Sequence, residues 1–103
     1  MARILIVEDE TRISDFLDRG LRAAGYATSV ASDGETGLHL ALAGDVDLVV
    51  LDLGLPDRDG LDVLRDLRGS GSDVPVIVLT ARGGVRDTVT GLTTLNVTGT
   101  TAI

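Results

Sequence analysis

The sequence predicts an α/β domain in which helices cover both faces of a parallel sheet. Short apolar runs alternate with segments of helical periodicity through about the first 90 residues, at the spacing of right-handed βαβ units. The third run, Leu48 to Leu51, ends abruptly on Asp52. Such short, β-branched runs are typical of buried parallel strands, and open α/β sheets carry functional groups at the carboxyl ends of their strands. Asp52 is therefore the first candidate functional residue, although a polar strand end can also simply cap a loop.

Length and composition favour a single globular domain located in the cytoplasm. A chain of 103 residues can bury roughly 60% of its unfolded surface in one core. No apolar run approaches the ~18 residues needed to span a bilayer, so no membrane association is expected. The few residues before the first strand are too short for a signal peptide, and the absence of cysteine is compatible with a cytosolic protein.

The charge balance argues against direct binding of nucleic acid. The formal net charge is −7, so the phosphate backbone of DNA or RNA would be repelled. All nine basic residues are arginines, and the sequence contains no lysine.

The first strand and helix are predicted from a short apolar run and a helical stripe. The strand Arg3 to Val7 is followed by Glu8, Asp9 and Glu10, where a nucleotide-binding fold would have a glycine-rich phosphate loop. A bare phosphate is therefore not the expected ligand of this turn. The following helix, Thr11 to Ala24, has an apolar face and ends at a glycine; the face comprises Ile13, Phe16, Leu17, Leu21 and Ala24.

The next elements repeat this alternation. Tyr26 to Ala31 is a weaker strand, and the four residues from Ser32 to Glu35 form a capping-box pattern that opens a helix running to Gly44. After the third strand, a leucine stripe of core residues predicts a helix ending at Gly69; the stripe comprises Leu61, Leu64 and Leu67. Pro75 to Leu79 is a fourth, all-apolar strand.

The C-terminal residues permit two interpretations. From Thr93 onward, Leu95 and Val97 alternate with polar residues as in an edge strand, but a disordered tail is also compatible with the composition. We favour the strand. If the tail did not pair, the strand Val76 to Leu79 would be an open apolar edge, and a homodimer formed by exchanged C-terminal segments would be expected.

Polar residues follow three of the predicted strands and should meet at one edge of the sheet. Glu8 and Asp9 follow the first, Asp52 ends the third, and Thr80 follows the fourth. Converging carboxylates repel one another unless a cation intervenes, and Mg²⁺ suits oxygen ligands that leave positions for phosphoryl oxygens. Asp52 would then be a carboxylate nucleophile toward phosphorus.

These residues resemble the receiver domain of bacterial response regulators. The resemblance rests on Glu8 and Asp9 after the first strand, on Asp52 with Pro56 and Asp59-Gly60 behind it, and on Thr80-Ala81 after the fourth strand. The resemblance extends from Ala2 to about Leu92, and over this range the sequence is similar to receivers of the winged-helix transcription-factor class.

The resemblance implies a function for each of these positions. Asp52 would accept a phosphoryl group from a sensor histidine kinase, and Mg²⁺ would be held by Glu8, Asp9, Asp52 and the backbone carbonyl of Gly54. Thr80 would be the switch hydroxyl, and Ala81 would leave room for the phosphoryl group. The implied fold is flavodoxin-like, a doubly wound parallel sheet with strand order 2-1-3-4-5 whose fifth strand is uncertain. Such a domain is not an enzyme, and DNA would be reached only through an effector domain that this chain lacks.

The end of the chain departs from the family pattern. The family places a lysine in its fifth strand, roughly where this sequence has Thr101 to Ile103, and this sequence has no lysine. We therefore divide the chain into a receiver domain, residues 1–92, and a divergent tail, residues 93–103. We also expect phosphorylation to be poorly transmitted to the rest of the domain.

Three other functions are compatible with a parallel α/β sheet of this kind. Phosphatases with an aspartate nucleophile share a second aspartate two residues after the first. This sequence has Gly54 at that position, which argues against a phosphatase. A flavin-binding domain needs donors for the flavin phosphate where this chain has acids. A module that keeps the fold but is impaired in phosphorylation or switching remains the alternative, because the lysine is missing.

Overall fold

The computed structural model describes residues 1–79 and the backbone of residues 100–102. The strands are β1 (Arg3–Val7), β2 (Ala27–Ala31), β3 (Leu48–Asp52), β4 (Val76–Leu79) and β5 (Thr100–Ala102). The helices are α1 (Thr11–Ala23), α2 (Gly34–Leu42) and α3 (Gly60–Gly69). Predicted elements up to β4 are therefore found within two residues of their expected ends. Thr80 and Ala81, and the Leu95 and Val97 alternation, lie outside the described residues.

The strands form one parallel sheet in the order β2-β1-β3-β4-β5, which confirms the predicted fold class. Val7 pairs with both Ala31 and Leu51, so β1, β2 and β3 end at the same level. The fifth strand, Thr100–Ala102, pairs with Val76 to Val78. Because β5 covers β4, the condition behind the expected homodimer, an open edge at Val76–Leu79, is not met.

The larger part of the core lies between the sheet and helices α2 and α3. Side chains at alternate strand positions point to this face, including Leu5, Val7, Val49 and Leu51, and α3 contributes Val63, Leu64 and Leu67. Helix α2 approaches β1 closely, since a Cβ at Gly37 would lie 2.7 Å from side-chain atoms of Val7. Glycine at position 37 therefore fixes the depth at which α2 packs on the sheet.

Helix α1 contacts β1 and β2 and lies on the opposite face of the sheet, as right-handed crossovers in opposite directions require. Its predicted apolar face was wrong at Phe16, which is 76% exposed, and at Ala24, which follows the last helical residue and is exposed. Ser14 is the buried residue of the helix. Each residue turns the helix by about 100°, so Phe16, two residues after Ser14, lies about 160° away from it around the helix axis. Phe16 is therefore on the side of α1 opposite the buried Ser14.

The predicted capping box at the start of α2 was wrong in its register. The N-cap is Asp33, whose side chain accepts a hydrogen bond from the backbone N–H of Thr36 at 2.7 Å, whereas Ser32 is exposed. Glu35 does not return to the N-cap; its carboxylate contacts Arg58 at 3.3 Å. A charged partner from another part of the chain thus replaces the local interaction.

Within the described residues, none of the helices combines the length and the apolar composition needed to cross a bilayer.

Candidate functional site

Three acidic residues are placed at one edge of the sheet by the ends of β1 and β3. The two strands are adjacent and parallel, with Val7 opposite Leu51, so Glu8 and Asp52 occupy neighbouring positions. The backbone N–H of Glu8 donates to the carbonyl of Ala31 at 2.9 Å, which extends the hydrogen-bond ladder by one residue. Both acidic residues are buried, each with an exposed fraction of 3%.

Glu8, Asp9 and Asp52 form a compact carboxylate cluster. One carboxylate oxygen from each residue lies within 4.8 Å of the other two. Asp9 is half-buried, and Glu10, the third acid of the turn, is exposed and begins α1 as its N-cap residue. The structure therefore brings together the three predicted acidic side chains, while Thr80 and Ala81 lie outside the described residues.

The electrostatics of the cluster are unfavourable without a cation. Burial raises the pKa of Glu8 to about 7, and its hydrogen bond with Asp52 and the charge of Asp52 act in the same direction. The backbone N–H of Glu10, 3.4 Å from a carboxylate oxygen of Glu8, opposes this change only partly. Asp52 Oδ2 is buried and has no hydrogen-bond partner among the described residues. Such an oxygen is a site where a cation or a proton donor would lower the energy of the protein.

The loop between β3 and α3, residues 53–59, is closed on itself. Gly54 and Asp59 form an isolated antiparallel bridge, and the N–H of Gly60 donates to the carbonyl of Leu53 at 3.0 Å. The Asp59 side chain caps α3 by accepting from the N–H of Leu61 at 2.9 Å. A Cβ at Gly60 would lie 2.5 Å from the backbone oxygen of Asp52. Glycine at position 60 thus allows α3 to begin in contact with the end of β3.

The same loop is attached to α2 by two residues whose sequence context gives no sign of this contact. The Asp57 carboxylate accepts hydrogen bonds from the backbone N–H groups of Gly34, at 2.7 Å, and Glu35, at 2.9 Å, and these bonds lower its pKa. Arg58 pairs with Glu35 on α2 and with Asp66 on α3. Contacts that join residues more than twenty positions apart leave no periodic signal in the sequence.

The cluster can bind a hard cation and can present an oxygen nucleophile. Its donors are carboxylate oxygens, which Mg²⁺ prefers, and the unpartnered Asp52 Oδ2 and the raised pKa of Glu8 both indicate that added positive charge would be favourable. The donors present therefore fit the Mg²⁺ that the resemblance implies.

Comparison with known sequences gives a match to the family described as response regulator receiver domain, over residues 4–99. The transcriptional regulatory protein CusR of Escherichia coli is 43% identical over 90 residues, and the probable transcriptional regulatory protein SilR of Salmonella typhimurium is 46% identical over 90 residues. In each case the aligned region covers 87% of this chain and 40% of the relative. The chain thus spans about 40% of the length of the curated relatives it matches.

Solved structures agree with this result. The response regulator TrrA of Thermotoga maritima, in complex with Mg²⁺–BeF, superposes with a TM-score of 0.82 at 33% identity, covering 100% of this chain and 87% of TrrA. A complex of the histidine kinase ThkA with TrrA also matches, with a TM-score of 0.75 and 38% identity over 84% of this chain and 74% of the matched chain. The strand order, the acidic edge and these matches show that the chain belongs to the response regulator receiver domain family and acts as a receiver domain of two-component signalling.

Proposed function

We propose that this receiver accepts a phosphoryl group on Asp52, with Mg²⁺ held by Glu8, Asp9, Asp52 and the backbone carbonyl of Gly54. The observation that carries the proposal is the carboxylate cluster. A buried oxygen of Asp52, unpartnered in the described part of the chain, lies in a group of three acids whose oxygens are within 4.8 Å of one another.

Mg²⁺ suits this donor set because it prefers oxygen ligands and is commonly bound by one or two carboxylates together with water and phosphoryl oxygens. When bound, the ion would offset the charge of the carboxylates and draw charge from the incoming phosphoryl oxygens. The raised pKa of Glu8 supports the proposal, since it reflects a site in which negative charge is poorly compensated. The Mg²⁺–BeF complex of TrrA supports it as well.

The transfer is a displacement at phosphorus. A carboxylate oxygen of Asp52 forms the new O–P bond while the P–N bond of a phosphohistidine breaks, and the imidazole nitrogen keeps the electron pair of the broken bond. Pairing in the parallel ladder holds Asp52 in place, because its backbone is opposite Leu79 in β4. A fixed nucleophile lowers the entropic cost of reaching the in-line geometry. We further propose that Thr80 is the switch hydroxyl and that Ala81 leaves room for the phosphoryl group.

The phosphoryl donor in this proposal is a sensor histidine kinase, and we place its docking surface on α1. This helix begins directly after the acidic turn and exposes Phe16 between the side chains of Arg12 and Arg19. Aromatic residues and arginine are enriched at protein–protein interfaces, and this surface of α1 presents both. The ThkA–TrrA complex is an assembly of the proposed kind.

The domain accepts a group and is not itself an enzyme, and we place it in the cytoplasm. With a net charge of −7 it would not bind DNA directly, so an effect on transcription would require an effector domain.

The proposal is tested by the intact mass of the protein after incubation with a small phosphodonor. With Mg²⁺ present, we expect the mass to increase by one phosphoryl group, and the increase should be lost when EDTA is added or when Asp9 is replaced in Asp9→Asn. Asp15→Asn, which makes the same change at an exposed carboxylate on α1, is the control and should be modified like the wild type. Absence of the mass increase in the wild type, or equal modification with EDTA, would contradict the proposal.

A further inference from the structure

The loop that follows Asp52 supplies part of the cap of a different helix. The first N–H groups of an α-helix have no partner within the helix. In α2, the N-cap Asp33 accepts from Thr36, and Asp57 accepts from the two preceding donors, Gly34 and Glu35. One carboxylate of the cap therefore belongs to α2 and the other to the loop 53–59.

The start of α2, to which Asp57 is hydrogen bonded, is packed closely against the rest of the domain. A Cβ at Gly34 would lie 2.9 Å from Val63 and 3.3 Å from the Asp57 carboxylate, so the first residue of α2 packs against both α3 and the loop. Further along the helix, the close approach of Gly37 to Val7 ties α2 to β1, the strand that leads into Glu8. The start of α2 is thus held by the same strand that presents the first acid of the cluster.

The other described attachments of the loop differ in kind, and one of them is the packing of Leu53 and Leu55 against the hydrophobic core. The Gly54–Asp59 bridge and the Gly60–Leu53 hydrogen bond close the loop on itself but do not join it to α2. Arg58 contacts Glu35, whose side chain is 75% exposed, and exposed ion pairs contribute little to stability. Of the described polar contacts between the loop and α2, the paired hydrogen bonds of Asp57 therefore restrain the loop most strongly.

We propose that Asp57 is a positioning residue for the metal site. Its carboxylate fixes the loop on the start of α2. It thereby keeps the backbone of Gly54 close enough to Asp52 for the Gly54 carbonyl to bind the same ion. This inference rests on the proposed function, since it concerns Mg²⁺ binding at that site. Coupling of this kind is reciprocal, so Mg²⁺ binding should in turn strengthen the hydrogen bonds at Gly34 and Glu35.

The test compares two caps of the same helix. Mg²⁺ affinity is measured by titration of amide chemical shifts in the wild type and in Asp57→Ala, Asp57→Asn and Asp33→Ala. Asp33→Ala is the matched control, because it removes one negative charge and one cap from the same end of α2 but does not touch the loop. We expect Asp57→Ala to raise the Kd for Mg²⁺ by about tenfold, the size typical of lost outer-shell contacts to a metal site. The control should change the Kd less than about twofold, and Asp57→Asn, which keeps an acceptor oxygen, should lie between the two.

Amide hydrogen exchange gives a second measurement. In the wild type, saturating Mg²⁺ should slow exchange at Gly34 and Glu35, and it should not do so in Asp57→Ala. If wild type binds Mg²⁺ but Asp57→Ala and Asp33→Ala weaken it equally, the positioning function of Asp57 is wrong while the proposed function stands. If the wild type does not bind Mg²⁺ at all, the proposed function fails and this inference fails with it.

Discussion

Glu8 is the residue on which the physical chemistry of the cluster is most visible. It is buried beside Asp52 and hydrogen bonded to it, and its pKa is raised to about 7. A raised pKa for an acid means that the folded protein resists ionisation of Glu8 more than the unfolded chain does. Folding is therefore opposed by the cluster at neutral pH in the absence of a cation, and this has a measurable consequence.

We predict that the metal-free protein becomes more stable on acidification from pH 8 to pH 5. The pKa of Glu8 is about 7 in the folded protein, and its reference value is 4.5. The stabilising contribution of protonated Glu8 to the free energy of unfolding is therefore fully present below the reference value and is lost as pH rises through 7. The free energy of unfolding in urea with EDTA should be higher at pH 5 by about 2 kcal/mol.

Two controls accompany this measurement. Glu8→Gln should remove most of the pH dependence, and millimolar Mg²⁺ should stabilise the protein at pH 8 more than at pH 5, because it binds the ionised cluster. Equal stability of the wild type at both pH values would show that the cluster carries no such electrostatic cost.

The ends of the strands position the site, and the helices packed beside them determine how tightly it is held. Helix α3 begins against the backbone of Asp52, and this contact depends on the absence of a side chain at Gly60. Helix α1 has a different relation to the sheet, with Ser14 buried and Phe16 exposed. A substitution in each helix distinguishes a structural contact from an interaction surface.

Gly60→Ala should destabilise the domain by at least about 2 kcal/mol, because the new methyl group would lie 2.5 Å from the carbonyl oxygen of Asp52 and the backbone would have to move. The matched control is Gly69→Ala in the same helix, where an added Cβ would have no neighbour within 4 Å apart from the adjacent residues and the backbone of its own helix. That variant should be neutral or slightly stabilising, because alanine is the better helix former. Chemical denaturation of both variants checks this, and a Gly60→Ala protein as stable as the wild type would contradict the close packing.

Phe16→Ala should leave stability within about 0.5 kcal/mol of the wild type, as expected for an exposed side chain. Leu64→Ala, which truncates a fully buried side chain, should cost about 2–5 kcal/mol. The docking proposal adds that Phe16→Ala slows transfer from a cognate kinase but not from a small phosphodonor. Equal slowing with both donors would place the effect at Asp52 and would rule out α1 as the docking surface.

The fold could be predicted from the sequence because its signal is local. Apolar runs that end on polar residues, such as the one ending at Asp52, mark strands and the edge where they terminate, so the three acids could be placed together in advance. Phe16 could not be placed correctly, because periodicity shows which residues share a helix face but not how far the sheet extends beneath them. Asp57 gave no signal, because its partners on α2 become neighbours only after the sheet has formed.

The whole molecule combines a complete acidic edge with an unusual C-terminal sequence. A fifth strand, Thr100–Ala102, pairs with β4, so the last described residues belong to the parallel sheet. The sequence nevertheless has no lysine, which the family resemblance places in this strand. The boundary between a receiver domain, residues 1–92, and a divergent tail, residues 93–103, stays a prediction.

We therefore predict that occupation of the site by Mg²⁺ and beryllofluoride changes the molecule only locally. A charge-assisted contact between a lysine ammonium and phosphoryl oxygens would contribute about 1.5–3 kcal/mol. Without the lysine, the bias toward an activated state would be weaker by a factor of about ten to a hundred. Amide chemical shifts should change near Glu8, in residues 53–59 and at the start of α2, and little elsewhere. Large concerted changes at residues 80–90 would show that signalling proceeds without the lysine.

Locating the modification within the chain decides whether Asp52 accepts the phosphoryl group. After treatment with Mg²⁺ and a small phosphodonor, borohydride reduction converts an acyl phosphate to a stable alcohol, and cleavage after arginine separates the candidates. Glu8 and Asp9 fall in the peptide 4–12, and Asp52 falls in the peptide 23–58. We predict a single mark at Asp52 and none in Asp52→Asn, whereas a mark in the peptide 4–12, or one that persists in Asp52→Asn, would contradict the claim.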